Sequence, residues 1–254
     1  MIAYNYNCSL VIFHCLTDRR CLSIKMIILE AILKYVLRFC KGGLLRFLSN
    51  QETATAIERM LRRARLSMKF SEGFHPHPKI SYSSAVATSV ASAAVYALVE
   101  TEEKEQQLLS RLKKQGVQTL QLLDAWMVED SNSISDFIDG YEFHLFLPKT
   151  NYHANLPDGG LMVRKRTKKG ERLLSVSEAF QNVSIAALNK YYVVKYMQHF
   201  DCLVPYQEWL RIMILADGPE ECGVYAFIKD GVLGNTTTSF ILNRLGGKEN
   251  VRSQ

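Results

Sequence analysis

Residues 70–84, Phe-Ser-Glu-Gly-Phe-His-Pro-His-Pro-Lys-Ile-Ser-Tyr-Ser-Ser, crowd two histidines, two prolines, a glycine and a lysine into a stretch that cannot continue a helix. His75 and His77 are two residues apart, so on an extended chain both imidazoles point the same way and can share a metal. Glu72 and His144 are the candidates for a third ligand, and spacing fixes neither, so no metal is assigned. The other reading makes the two histidines hydrogen-bonded loop groups or phosphate contacts. Just upstream, Arg59, Arg62, Arg63 and Arg65 fall within seven residues, followed by Lys69 and Lys79. Guanidinium groups offer paired donors to phosphate or carboxylate. Phe70, Phe74 and Tyr82 are interleaved where they could stack on bases. The competing reading makes these aromatics core and the arginines a solvated face. A second basic run, Arg164, Lys165, Arg166, Lys168, Lys169 and Arg172 around Gly170, reads as a flexible hairpin or loop for nucleic acid or another acidic partner.

The formal net charge of the 254 residues is +6, unevenly spread. Residues 34–84 hold ten basic and three acidic side chains, residues 100–140 four and nine, residues 164–172 six and one. Two basic stretches around an acidic one suggest one face turned toward an anion, to which Arg38, Lys41 and Arg46 would add. The six cysteines, Cys8, Cys15, Cys21, Cys40, Cys202 and Cys222, contain no C-x-x-C pair and read as reduced thiols of a cytoplasmic protein. No apolar run approaches the ~18 residues of a membrane helix. Phosphate-loop, nucleophile-elbow and C-x-x-x-C-x-x-C patterns are all missing, so the residues name a binder more readily than a reaction.

Positioning these groups requires a scaffold. Residues 1–25 have no clear period and hold three of the six cysteines; they are either an N-terminal arm or a run ahead of a natural start at Met26. Beyond them, 35–39 reads as a strand. Ser49 and Glu52 form a capping-box pattern ahead of a helix with Ile57, Met60, Leu61 and Ala64 on one face. Strands follow at 79–84 and at 94–100, the latter buried on both faces, then a helix over 102–115 and a strand over 117–128. This βαββαβ order predicts a ferredoxin-like half across 26–130. After a polar link over 130–139, residues 131–254 predict a second, looser α+β half of similar type. Its expected elements are strands at 141–147, 191–197 and 210–216, a strand edge and short helix within 173–183, and a last helix at 221–229.

Arg38-Phe39 with Lys41, Gly43, Arg46-Phe47-Leu48-Ser49, Glu58, Leu61-Arg62-Arg63-Ala64, Ser71, Gly73-Phe74 and Pro76-His77-Pro78-Lys79-Ile80-Ser81 together resemble the radical-SAM-linked family. This is a bacterial domain of unknown function, fused behind a radical SAM module or encoded beside one. The Lys168-Lys169-Gly170-Glu171-Arg172 run is similar to a second hallmark of that family. The resemblance is dense over 34–100, sparser over 140–230 and absent in 1–25. It implies a radical SAM protein as partner, with the iron–sulfur cluster and S-adenosylmethionine carried by that partner and no cofactor in this chain. Two departures bear on the site. The family reads Ser-His-Leu-Asp where this chain has Ser49-Asn50-Gln51-Glu52, and it has a glycine and two acids where this chain has Ser89, Ala91 and Val95.

The expected function is therefore an accessory protein that binds RNA or another polyanion and works with a radical SAM partner in RNA- or ribosome-related metabolism. An RNA-modifying enzyme using His75, His77 and Glu52, and a docking module for an acidic protein, are the alternatives.

Overall fold

The computed structural model describes residues 32–246 other than 118, 130, 151, 153–159, 168–169 and 214–222; the segment 1–25 and Met26 lie outside them. By compactness the chain separates into residues 1–30 and residues 31–254, and the second unit holds every element described.

In β1 (Leu33–Lys41), Tyr35, Leu37 and Phe39 alternate with Val36, and both sets are buried. The helix α1 (Asn50–Arg63) starts on Ser49, whose hydroxyl accepts from the Glu52 amide while the Glu52 carboxylate accepts from the Ser49 amide. This is the reciprocal cap the sequence indicated. Ile57, Met60 and Leu61 form its buried face, each stabilising by about 1.5–3 kcal/mol relative to exposure. Then come β2 (Ile80–Tyr82), β3 (Ala91–Thr101), α2 (Glu105–Gln115) and β4 (Leu120–Val128). The remaining elements are β5 (Gly140–Pro148), the hairpin β6 (Met162–Thr167) and β7 (Gly170–Ser175), α3 (Val176–Ala179), β8 (Gln181–Leu188), β9 (Tyr191–His199), α4 (Tyr206–Met213), β10 (Tyr225–Leu233), β11 (Thr236–Thr237) and α5 (Thr238–Leu245).

The architecture is α+β, dominated by one sheet in the order β4-β1-β3-β10-β5-β9-β8. Pairing is antiparallel except between β3 and β10. The edge of β3 is used twice: β2 takes Ala97 to Val99, while β10 meets only Ala91 and Ser92. The stretches read as two halves are thus joined through that short parallel contact into a single sheet. On one face, Tyr35, Leu37, Phe39, Val95, Ala97 and Val99 pack against α1 and α2. On the other, Val36, Tyr96 and Leu98 join β5, β9, β10, α4, α5 and the β6–β7 hairpin.

Two expected elements are of the other type. The strand expected at 210–216 is helix α4 through Met213, with residues 214–216 outside the described set. Trp209 and Leu210 are buried on one side and Arg211 is exposed, a helical alternation behind Pro205. The helix expected at 221–229 is strand β10 from Tyr225 onward, because Ala226, Ile228, Asp230 and Val232 are buried at period two. Among the described residues no helix is long and apolar enough to cross a membrane.

Five phenols, Tyr35, Tyr82, Tyr96, Tyr141 and Tyr196, are pushed above the usual tyrosine value, chiefly by burial. Above pH ~10 the unfolded chain releases phenolic protons that the fold retains, so stability is full below that pH and falls as pH rises through it. Urea midpoints should be level from pH 7 to 9 and drop at pH 10.5, and Tyr96→Phe should lessen the drop; a level profile would remove the premise.

Candidate nucleic-acid interface

The period of α1 turns Ile57, Met60 and Leu61 inward and leaves Arg59, Arg62 and Arg63 exposed. Arg62 pairs with Glu58 at 2.8 Å and lies over the Phe70 ring at 5.7 Å, which ties the helix to the base of the histidine loop. Arg59 and Arg63 make no ion pair among the described residues. Arg65 closes the helix in a left-handed conformation, φ 52°, and its carbonyl accepts from Arg111.

The loop is a braced hairpin. The Lys69 amide donates to Glu100, the Ser71 amide to the His77 carbonyl at 2.8 Å, the His77 amide to the Ser71 hydroxyl at 3.0 Å, and the Lys79 amide to the Lys69 carbonyl at 2.8 Å. Residues 72–77 project into solvent. Gly73 turns the tip at φ 137°, a conformation that side chains rarely adopt. Phe74 is 100% exposed, with the His75 ring at its edge, 6.4 Å away. His75, His77 and Lys79 are exposed, and Lys69 pairs with Glu100 at 3.1 Å. The core reading therefore fails for Phe74. It holds in part for Tyr82, whose hydroxyl donates to the Ala54 carbonyl at 3.1 Å.

Several expected anion ligands are occupied by the fold. Arg38 donates to the carbonyls of Ala93 at 2.6 Å and Lys229 at 2.7 Å and faces Asp124 at 3.5 Å, so strand geometry consumes its donors. Lys41 is 2% exposed and cannot meet a polymer phosphate; burial lowers its pKa. Its neighbour across a small cavity is Asn50, the position where the family resemblance implies histidine. Arg46 stacks on Phe47 at 4.8 Å and Tyr225 at 5.7 Å. Lys165 donates to the carbonyls of Phe200 and Asp201, and Arg166 faces Glu171 at 3.5 Å. Arg164 and Arg172 are exposed; Lys168 and Lys169 lie outside the described residues.

The two basic segments do not form one face. Through Val163 and Leu174 the β6–β7 hairpin packs on the β5 and β9 side of the sheet, while α1 packs on the opposite side. The metal set does not assemble either. His144 is held on β5 against Glu142 at 2.8 Å and the Phe227 ring, Glu52 is spent on its helix cap, and no group of three metal-ligating side chains occurs among the described residues. The other departures fall on backbone and core: Ser89 is left-handed at φ 76° where the resemblance implies glycine, and Ala91 and Val95 are buried in β3. Sequence reasoning missed Asp230, buried beneath the sheet junction; only its place in a period-two apolar run marked it.

Fold and surface together define an α+β protein with an exposed arginine helix beside a braced, aromatic-tipped loop. Residues 34–204 match the family described as "Uncharacterized protein conserved in bacteria (DUF2344)", and the chain belongs to that family. No curated protein matches it. Among solved structures it is similar to an unknown protein from Galdieria sulphuraria at 11% identity, covering 80% of this chain and 100% of that one with a TM-score of 0.24.

Proposed function

We propose that this protein binds single-stranded RNA across the exposed side of α1 and the 70–79 loop, as the accessory of a radical SAM partner that supplies the iron–sulfur cluster and S-adenosylmethionine. In this reading residues 26–130 are a ferredoxin-like unit presenting that surface. The observation that carries it is the pairing of Arg59 and Arg63, exposed and outside any ion pair among the described residues, with a fully exposed Phe74 on a loop held to the same helix by Arg62. Free guanidinium groups favour phosphates, and an exposed ring supplies a stacking platform that accepts any base. The partner rests on the family resemblance alone.

Fluorescence anisotropy with a short single-stranded RNA at several salt concentrations tests the binding. Arg59→Ala with Arg63→Ala should weaken binding and flatten the log–log salt slope by roughly 1.4, two phosphates at ~0.7 each. Phe74→Ala should cost about 1–3 kcal/mol of affinity with the salt slope unchanged. Absence of RNA binding by the unaltered protein at low salt would overturn the proposal. Co-purification with a radical SAM protein tests the partner separately.

A further inference from the structure

We propose that the RNA path continues off α1 onto the outer face of β10, β5 and β9, where Phe47 and Tyr225 stack bases and Arg46, Lys195 and Lys229 meet phosphates. The inference rests on the RNA-binding reading above and extends its footprint. Period two sets this face. Ala226 and Ile228 of β10, Phe143 and Leu145 of β5, and Val194 and Tyr196 of β9 point into the core beside α4 and α5. Tyr225, Phe227, His144, Phe146 and Lys195 alternate with them and point to the opposite side. That is the side on which α1 and α2 pack, but those helices cover residues of β1 to β4 and none of β5, β9 or β10.

Aromatic rings run along it. Phe47 is 53% exposed and Tyr225 41%, and the Arg46 guanidinium lies over both, 4.8 Å from the first ring and 5.7 Å from the second. Phe146 follows Tyr225 at 6.1 Å. Exposed rings on an open sheet are a platform on which successive bases stack. Charge favours RNA over an apolar protein partner. Arg46 and Lys195 form no ion pair among the described residues, and Lys195 is exposed opposite His144. Lys229 stands 4.0 Å from Glu142, which His144 already holds at 2.8 Å. Arg46, Lys195 and Lys229 against Glu142 leave the face positive. The face is also contiguous with the arginine helix. The 3₁₀ turn Gly43–Phe47 leads into α1. A groove lined by Leu48, Gln51, Glu52, Thr55, Ala56 and Arg59 then runs from the end of that turn to Arg59, and its carboxylate, Glu52, is engaged by the Ser49 amide and hydroxyl.

Anisotropy with an oligouridylate of about 12 nucleotides, within the ~4–16 that single-strand grooves span, tests the inference on the full chain. Tyr225→Ala should weaken binding about 5- to 150-fold, the loss of one base–aromatic stack, with the salt slope unchanged. Lys195→Ala with Lys229→Ala should flatten the log–log salt slope by roughly 1.4, two phosphates at ~0.7 each. In the unaltered protein, a thiouridine-substituted form of the same oligomer should cross-link to Phe47 or Tyr225, a readout that does not depend on any variant folding. If Arg59→Ala with Arg63→Ala weakens binding while the Tyr225 and Lys195–Lys229 variants bind as the unaltered protein does, this extension fails and the α1 surface stands. Cross-links confined to α1 and the 70–79 loop would overturn it in the same way and leave the sheet face to a protein partner. No RNA binding by the unaltered protein would overturn both.

Discussion

Asp230→Ala should lower the free energy of unfolding by about 3–5 kcal/mol, the range for breaking a buried charge network by removing one partner. Asp230 is 5% exposed on β10. One carboxylate oxygen accepts from the Tyr96 hydroxyl on β3 and from the Gly231 amide at 2.8 Å. The other accepts from the Ser239 hydroxyl on α5 and lies 3.9 Å from Arg38 of β1. Deleting it strands two hydroxyls and leaves Arg38, only 13% exposed at its side chain, facing Asp124 alone across the junction.

This residue matters more than an average buried carboxylate because of where it acts. The β3–β10 contact has two residue pairs, against seven or more on the neighbouring ladders, so backbone hydrogen bonds alone join the sheet weakly there. Arg38 reaches across the gap to the Lys229 carbonyl, and Asp230 holds that arm in place. Asp230→Asn keeps the volume, its amide oxygen can still accept from the Tyr96 hydroxyl and the Gly231 amide, and its NH2 can donate to the Ser239 oxygen, so it should lose less than the alanine variant. Ser239→Ala should lose about 1.5–3 kcal/mol, one hydrogen bond to a charged carboxylate. Urea unfolding followed separately by tryptophan fluorescence and far-ultraviolet dichroism checks both size and cooperativity. The two probes should coincide in the unaltered protein and separate in Asp230→Ala. A loss under 1 kcal/mol, with coincident probes, would show that apolar packing joins the sheet without the carboxylate.

The same residues show how far the sequence could be read. The first part was legible because its signals are local: Ser49 and Glu52 mark the start of α1, and alternation along 35–39 and 94–100 marks β1 and β3. Later elements carried mixed signals. The short apolar run around Leu210 suits a strand or a helix, and burial of Trp209 beside Leu210 decides for helix. The run from Tyr225 is interrupted by Lys229 and Asp230, yet it is a strand whose charged members serve the junction. Charge was the least legible property. Arg38, Lys41 and Lys165 look like surface cations when counted, but each is drawn inward by carbonyls contributed by distant or folded-back chain. Arg59, Arg63 and Phe74 were legible because helix period and a proline-bounded loop keep them outward.

Trp209→Ala should cost about 3–5 kcal/mol, as for a large aromatic removed from a closed core. Trp209 is fully buried on α4. Its ring lies 5.8 Å from Tyr196 at 28° and 4.8 Å from Phe180 at 64°, and Tyr196 stacks in turn on Phe143 at 5.1 Å. The variant would open a cavity bounded by rings that cannot collapse without losing their own contacts. Trp209→Phe separates packing from polarity. Among the described residues the buried indole Nε1–H has no hydrogen-bond partner, so phenylalanine removes an unsatisfied donor while keeping a ring, and the loss should be well below that of alanine. The basic hairpin depends on the same cluster: Val163 and Leu174 pack into it, and Glu208 of α4 accepts from the Arg164 amide at 3.4 Å. Hydrogen exchange should therefore accelerate more in β6 and β7 than in β1 and β3, which α1 and α2 cover from the other face. RNA affinity at the α1 surface should stay within twofold wherever the variant remains folded. Equal loss of protection across all four strands would show that the hairpin unfolds only with the whole sheet, and a parallel loss of RNA affinity would tie it to the binding surface after all.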